Sequence, residues 1–274
     1  MTLLGIGTYA YAWSIGVPGH PFPSRPMDHT AFLRRSAELG VKLVQYADNL
    51  PLDALTPAAF DALLGEAGRL GMRIEVGTRG VQPDHLRRWL EIARRCGSPI
   101  LRVVVDTKDH HPAPQEVVEL ARRVLPEFEQ AGVTLAIENH DRFKAATLAD
   151  IVRAIDSPHV GICLDTVNSF GALEGPDVVV TALGPHVVNL HVKEFTVRRA
   201  SHSMGFLVEG APAGKGMLDL PWLLGRLRGD FGRAFNAVLE QWPPPEADPD
   251  ATAAKEDAWA AESIAYLKSL SAFS

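Results

Sequence analysis

Eight short apolar runs recur along this chain, and this rhythm constrains the fold more than any other feature. The runs are rich in Val, Ile and Leu and do not alternate strictly with polar residues. They cover residues 3–9, 41–46, 73–77, 100–106, 134–138, 160–165, 187–193 and 235–240. Runs of this kind are typical of strands in a parallel sheet that is covered on both faces. The pattern therefore predicts eight buried strands.

The segments between these runs have the punctuation of helices. Pro57 and Pro83 each stand where a helical pattern begins, a position at which the missing N–H costs nothing. Gly71 and Gly97 follow the ends of the same two helices, as glycines in a left-handed cap do. A strand followed by a helix, repeated, indicates right-handed βαβ units. We therefore predict an α/β fold, a single (β/α)8 TIM barrel that spans residues 1–274.

Two connections are too long for a simple turn between a strand and a helix. They cover about residues 10–30, which are rich in proline, and about residues 195–218. Both follow predicted strands on the side where an α/β barrel keeps its chemistry, so we expect them to lie over the barrel mouth. Tyr9, Trp13 and Phe206 are expected to wall a pocket there.

Composition excludes several classes of protein. The formal net charge of −6 and the isoelectric point near 5.9 argue against a general nucleic-acid binder, which needs a basic surface. We find no apolar stretch of about 18 residues and no signal-peptide pattern. Cys96 and Cys163 have no metal-binding spacing and are expected to be buried thiols. We expect a cytoplasmic enzyme without membrane or nucleic-acid partners, and a homodimer through the outer helices stays open.

Four polar side chains stand at or near the ends of the last four runs. They are Glu138, Asp165, His191 and Glu240. Side chains on a strand alternate, so all four can point into the barrel at its C-terminal end. Three carboxylates and one imidazole suit a single divalent ion, for which we expect Mn²⁺ first, ahead of Mg²⁺, Co²⁺ and Zn²⁺. Taken singly, Asp165 can equally cap the next helix and His191 can be a core histidine.

Cationic residues at and after the strand ends predict an anionic substrate. Lys193 shares the parity of His191, and Arg198 and His202 lie in the long connection that follows. Arginine and lysine bind carboxylates, so we assign these three residues and His140 to substrate binding. Inside the barrel, Glu75 and Arg102 are expected to form a structural ion pair.

The chain resembles the xylose isomerase-like TIM-barrel superfamily, which holds sugar isomerases and epimerases, inosose dehydratase, hydroxypyruvate isomerase and endonuclease IV. The matching residues are Ile137-Glu138-Asn139, Leu164-Asp165-Thr166-Val167-Asn168, His191-Val192-Lys193-Glu194, Gly214-Lys215-Gly216 with Asp219, and Leu239-Glu240. The resemblance implies that Glu138, Asp165, His191 and Glu240 bind the metal and that Glu138 and Glu240 are the acid and base. The ketose 3-epimerase subgroup has a histidine where this chain has Asn168, which we assign to substrate binding.

These features predict a divalent-metal-dependent isomerase or epimerase of a small keto sugar or sugar acid, acting through an enediolate. The alternative is a metal-dependent decarboxylase of a 3-oxo sugar acid, a carbon–carbon lyase resembling the 3-oxo-isoapionate decarboxylases of the superfamily. The basic residues near the site favour the lyase, and the frequencies of the superfamily favour the isomerase. A nuclease of the endonuclease IV kind needs more histidines and a basic groove. A barrel that binds sugar without turnover does not need a full ligand set.

Overall fold

The computed structural model describes residues 2–273, in which eight parallel strands close into a barrel. The barrel strands are β1 (Leu4–Gly7), β2 (Leu43–Tyr46), β3 (Arg73–Arg79), β4 (Ile100–Val104), β5 (Thr134–Glu138), β6 (Val160–Asp165), β7 (Val187–Val192) and β10 (Asn236–Leu239). Each strand pairs with the neighbours that precede and follow it, and β10 closes the ring against β1. The predicted (β/α)8 barrel is confirmed.

Helices cover the outside of the barrel. They are α1 (Ala12–Ile15), α2 (His29–Glu38), α3 (Pro57–Leu70), α4 (Pro83–Cys96), α5 (Pro114–Ala131), α6 (Ala145–Ile155), α7 (Pro176–Leu183), α8 (Leu220–Gly225) and α9 (Pro249–Ser269). Within residues 2–273 there are also four 3-10 turns and one π-helical turn, at Thr8–Tyr11, Leu52–Ala54, Asn168–Ala172, Gly184–His186 and Arg226–Asp230. Gly71 and Gly97 have φ angles of +63° and +64°, so both are the left-handed caps that the sequence predicts.

The long connection after β7 contains a hairpin, whereas we predicted a loop. It consists of β8 (Glu194–Arg199) and β9 (Phe206–Ala211), which pair antiparallel with Val197 opposite Val208. Both strands mix apolar and charged residues, so neither forms an apolar run. The hairpin leaves the barrel instead of joining its wall, and for that reason the strand signal used for the barrel did not detect it.

The first strand is shorter than predicted. We expected it to continue to residue 9, but β1 ends at Gly7 and Thr8–Tyr11 form a 3-10 turn. The hydroxyl of Thr8 donates to Asn49 Oδ1 at 2.6 Å and accepts from the Ala47 amide at 3.0 Å. These bonds turn the chain over the barrel rim and bring Tyr9 to its mouth.

Among the described residues, no helix has the length and apolar character that crossing a membrane requires. Both cysteines are free thiols, of which Cys163 is buried as predicted and Cys96 is half-buried.

A buried carboxylate on α9 holds the segment that follows the first strand. Glu256 is fully buried and accepts hydrogen bonds from the amides of Trp13 and Ser14, at 3.0 and 2.8 Å, and from the Ser14 hydroxyl at 2.7 Å. Burial raises the pKa of Glu256 to about 7, although these hydrogen bonds oppose the rise.

This pKa predicts a pH-dependent loss of stability. In the unfolded chain the group ionises near pH 4.5, so between pH 4.5 and about 7 the folded state holds the proton more tightly. The free energy of unfolding should therefore fall as the pH rises, by about 3 kcal/mol relative to Glu256→Gln. Urea unfolding of both proteins at about pH 4.5 and pH 8 measures this difference.

The control is Glu262→Gln on the same helix, because Glu262 is exposed and its change should leave the pH dependence of wild type intact. Parallel pH profiles for wild type and Glu256→Gln would contradict the assignment.

Candidate metal centre

The four predicted ligands meet inside the C-terminal end of the barrel. Glu138 ends β5, Asp165 ends β6, His191 lies in β7 and Glu240 directly follows β10. All four are at most 1 % exposed. From His191 Nδ1 the distances are 3.4 Å to Glu240 Oε1, 3.5 Å to Glu138 Oε2 and 3.9 Å to Asp165 Oδ2. The strand ends thus gather three carboxylates around one imidazole nitrogen.

Asp165 both caps the next turn and faces the centre. Its Oδ1 accepts from the amides of Val167 and Asn168, at 2.9 and 2.8 Å, which leaves Oδ2 directed at the other ligands. The side chain of Asn139 holds the backbone of Asp165 from both sides, accepting from its amide at 2.7 Å and donating to its carbonyl at 2.8 Å. The two interpretations of Asp165 from sequence, a cap and a ligand, are therefore compatible.

Both carboxylate oxygens of Glu138 accept hydrogen bonds. Arg102 Nε donates to Oε2, and Asn168 Nδ2 donates to Oε1 at 2.9 Å. The predicted pair of Arg102 with Glu75 is wrong, because in the barrel register Arg102 lies beside Gly77, two residues beyond Glu75. A Cβ at Gly77 would lie 3.0 Å from Arg102 Cδ, so this glycine gives the arginine room to reach Glu138.

His191 presents one nitrogen to the centre and one to the barrel interior. Its Nε2 lies 2.7 Å from Gln45 Oε1, an oxygen that can only accept, so Nε2 carries the hydrogen. Nδ1 is buried and has no hydrogen-bond partner among residues 2–273. A buried lone pair without a donor is costly unless a cation takes it.

Lys193 adds a positive charge beside the ligands. Its Nζ lies 2.7 Å from Asp165 Oδ2 and 2.9 Å from Glu240 Oε2. Burial lowers the pKa of Lys193, but the carboxylates of Asp165, Glu240 and Glu138 outweigh burial and raise it well above its usual value. Burial raises the pKa of Glu240, yet its neighbours His191, Lys193 and Arg102 hold it below its usual value.

This donor set fits a divalent ion. The ligand atoms of Asp165, His191 and Glu240 all lie within 4.8 Å of one another, and Glu138 reaches the same space. His191 Nδ1 and Glu240 Oε1 are buried and lack hydrogen-bond donors in the described part of the chain. Three oxygens and one nitrogen suit Mn²⁺, Mg²⁺ or Co²⁺, and also Zn²⁺.

A cavity of about 500 Å³ lies next to this centre, since two of its lining residues, Lys193 and Asn168, bond to the ligand carboxylates. Lys193 and Asn168 form its floor, and Asp141 and Gln241 add polar groups to its lining. Its apolar walls are Tyr9, Trp13, Val17, Phe170, Val208 and Trp242. A small polar molecule fits such a space, with polar contacts at the floor and apolar contacts at the walls.

The five residues assigned to substrate binding lie in different environments. Lys193 and Asn168 line the cavity, whereas Arg198 and His202 lie on the hairpin. Arg198 Nε is paired with Glu209 Oε2 at 2.5 Å, and His202 Nδ1 accepts from the Met204 amide at 3.2 Å. His140 is bonded to Asp141 at 2.6 Å. The structure therefore brings Lys193 and Asn168 to the ligand set and leaves Arg198 and His202 in exposed positions.

The aromatic walls agree only in part with the prediction. Tyr9 and Trp13 line the cavity, and Trp13 Nε1 is fixed by a bond to the Pro243 carbonyl at 3.0 Å. Phe206 does not, since it is 62 % exposed and packs under the Arg199 guanidinium at 4.4 Å.

Two residues that contact the candidate site were not predicted from the sequence. Gln45, which orients His191, and Asp48, which pairs with Arg102 at 3.1 Å, come from β2 and the residues after it. Gln45 could have been predicted from the run Leu-Val-Gln-Tyr. A glutamine inside a buried apolar strand needs a hydrogen-bond partner, and so indicates a polar contact inside the barrel.

The sequence matches known proteins over most of its length. The sequence profile of the xylose isomerase-like TIM barrel family matches residues 33–270. The chain is 38 % identical over 266 residues to 3-oxo-isoapionate decarboxylase of Pectobacterium atrosepticum, covering 96 % of this chain and 94 % of that protein.

Solved structures agree in fold. A D-psicose 3-epimerase crystallised with D-fructose superimposes with a TM-score of 0.71 at 15 % identity, over 97 % of this chain and 98 % of that one. A xylose isomerase-like TIM barrel protein from Mycobacterium smegmatis, in complex with magnesium, gives 0.70 at 14 % identity, over 100 % and 98 % of the two chains. With its closed barrel and its match over most of the sequence, the chain belongs to the xylose isomerase-like TIM barrel family.

Proposed function

We propose that this protein is a divalent-metal-dependent decarboxylase of a small 3-oxo sugar acid. The observation that carries the proposal is the position of Lys193, whose ammonium lies 2.7 and 2.9 Å from two of the metal ligands on the cavity floor. The full-length similarity to 3-oxo-isoapionate decarboxylase supports the same reaction. We therefore place the lyase, the alternative in the sequence analysis, ahead of the isomerase.

The chemistry needs electron withdrawal at a ketone. A divalent ion held by the four ligands would supply a Lewis acid for the ketone oxygen. In the reaction the bond between the carboxylate and its neighbouring carbon breaks, CO₂ leaves with no charge, and the bonding electron pair passes to the ketone as an enolate. One proton from solvent then adds to the carbon that lost CO₂, and the ketone forms again. Negative charge moves from the carboxylate to the enolate oxygen during this step.

Lys193 can stabilise the negative charge both on the substrate carboxylate and on the enolate oxygen. Its ammonium attracts the substrate carboxylate to the cavity floor and then lies close to the enolate, where preorganised positive charge lowers the barrier. The apolar residues in the cavity walls lower the local dielectric constant, which strengthens this effect. The carboxylate of Glu138 is fully engaged by Arg102 and Asn168, an arrangement that holds it as a ligand. Decarboxylation needs no carboxylate to take a proton from carbon.

An isomerase or epimerase is the second candidate. Glu138 and Glu240 lie on two sides of His191, each about equally far from its Nδ1, at 3.5 and 3.4 Å. An epimerase moves a proton between two faces of a carbon, which requires two carboxylates that flank the bound substrate. Family membership supports a carbohydrate substrate for both candidates.

One assay separates the two candidates. The metal-loaded protein is incubated with 3-oxo sugar acids and, separately, with neutral ketoses in ²H₂O. We expect CO₂ release from the acids and no incorporation of deuterium into the ketoses, with Glu240→Gln as the inactive control. Deuterium incorporation into a ketose without CO₂ release from any acid would overturn the proposal in favour of the isomerase.

A further inference from the structure

A polar cluster, buried except for the partly exposed Asn236, lies beneath the ligand set, deeper in the barrel. It consists of Gln45, Glu75, Asn189 and Asn236, which we name the barrel amide cluster. Gln45, Glu75 and Asn189 are all 0 % exposed. A carboxylate in such a place is costly to bury unless hydrogen bonds compensate it.

The hydrogen bonds of Glu75 fix which end of each amide faces it. Asn236 Oδ1 accepts from the Leu3 amide at 3.0 Å, so its Nδ2 must donate to Glu75 Oε1, at 2.7 Å. Glu75 Oε2 accepts from Gln45 Nε2 at 3.2 Å and from Asn189 Nδ2 at 3.0 Å. Burial raises the pKa of Glu75, and these three amide bonds oppose the rise. Every contact of Glu75 is thus one in which its oxygens accept.

The orientation of Gln45 then follows. Because its Nε2 donates to Glu75 and also to Asn189 Oδ1, at 3.2 Å, its Oε1 is left to face His191. That oxygen accepts from His191 Nε2 at 2.7 Å. With the hydrogen on Nε2, the lone pair of His191 is on Nδ1, the nitrogen that faces Asp165 and Glu240.

We propose that Glu75 is a positioning residue that sets the tautomer of His191 through Gln45. Without the Glu75 acceptor, Gln45 and Asn189 can rotate their amides together. Gln45 Oε1 then accepts from Asn189 Nδ2, and Gln45 Nε2 donates to His191 Nε2, which moves the imidazole hydrogen to Nδ1 and blocks the ligand lone pair. The inference deepens the proposed metal function, because it concerns the nitrogen assigned to the ion.

The test is ¹⁵N NMR of histidine-labelled, metal-free protein, with the His191 signals assigned by their loss in His191→Ala. In wild type we expect a protonated Nε2 and an unprotonated Nδ1. Glu75→Leu, which removes both acceptor oxygens, should give a mixture of both tautomers. Glu75→Gln keeps one acceptor oxygen and should shift the His191 signals in the same direction by less. Because Glu75→Gln alters the side chain less than Glu75→Leu does, it also provides a second variant that folds more readily.

Metal affinity gives a second readout. Changes to partners that orient a metal ligand typically weaken binding about 10- to 100-fold, and we expect a loss of this size for Mn²⁺ in Glu75→Leu. Glu256→Leu is the matched control, because it also removes a buried carboxylate but contacts Trp13 and Ser14 instead of the barrel amide cluster. It should change neither the His191 tautomer nor the Mn²⁺ affinity.

A double variant shows whether the effect passes through Gln45. In a Gln45→Met background, Glu75→Leu should cause no further change in the His191 signals. A wild-type tautomer and wild-type Mn²⁺ affinity in folded Glu75→Leu and Glu75→Gln would overturn the inference, as would an Nδ1–H tautomer in wild type. Since the NMR experiment uses metal-free protein, failure to release CO₂ in the assay above would leave this result standing.

Discussion

His191→Ala should bind Mn²⁺ far more weakly than wild type and should lose at least about a thousandfold in kcat/KM for CO₂ release. The reason is that Nδ1 is the atom on which the ligand set converges, with Glu240, Glu138 and Asp165 oxygens between 3.4 and 3.9 Å away. Lewis acid catalysis supplies several kcal/mol of transition-state stabilisation, and about 4 kcal/mol corresponds to a thousandfold. Elemental analysis after dialysis and titration calorimetry with Mn²⁺ measure the binding.

The matched control is His159→Ala. His159 is a half-buried histidine whose Nδ1 lies 3.3 Å from the Val133 carbonyl. It directly precedes β6, so it lies at the opposite end of the barrel from the ligand set. Its substitution should leave Mn²⁺ affinity unchanged. If His191→Ala kept the metal content and the kcat/KM of wild type, the proposed metal centre would be wrong.

The sequence predicted the barrel because each strand is a local signal. A short Val- and Ile-rich run such as that of β6 is buried on both faces wherever it lies in a parallel sheet, so its composition alone indicates its environment. The ligand set followed by the same reasoning, since Glu138 and Asp165 both end their strands, and the ends of parallel strands share one edge. Both predictions can be made without knowing which strands are neighbours in the barrel.

Contacts between specific side chains depend on register, which the sequence does not state. Arg102 and Glu75 have the parity of inward-facing residues, but the pairing of β3 with β4 sets Arg102 beside Gly77 and thus in the layer of Glu138. Glu75 lies a layer deeper, among amides that no local pattern connects: Gln45 and Asn189 are 144 residues apart in the chain.

The position of the hairpin relative to the cavity also could not be predicted from the sequence. We expected Arg198 and His202 near the substrate because they follow β7 in sequence. Arg198 instead forms an ion pair with Glu209 across the β8–β9 pair. An arginine and a glutamate on adjacent antiparallel strands form such a pair wherever the hairpin lies, and its position relative to the cavity depends on the path of the whole connection.

Lys193→Met should have the opposite effect on metal binding from His191→Ala. Methionine keeps an unbranched apolar stem, one atom shorter than lysine, but removes the charge that lies 2.7 Å from Asp165 Oδ2 and 2.9 Å from Glu240 Oε2. Because this ammonium competes with a cation for the same two carboxylates, its loss should tighten Mn²⁺ binding. Removing one partner of a buried charge pair costs about 2–5 kcal/mol, so kcat/KM for a 3-oxo acid should fall by about 30- to several thousandfold.

The combination of tighter metal binding and weaker catalysis distinguishes Lys193 from a ligand and from a residue that only balances charge. Lys215→Met is the control, since Lys215 is 64 % exposed in its side chain and pairs with Glu262 at 3.3 Å outside the cavity. Titration calorimetry with Mn²⁺ and CO₂ release measure the two effects separately. Tighter Mn²⁺ binding with unchanged kcat/KM would mean that Lys193 only compensates the carboxylates. The decarboxylase proposal would then lose the observation on which it rests, because the cation on the cavity floor would have no part in recognising the acid.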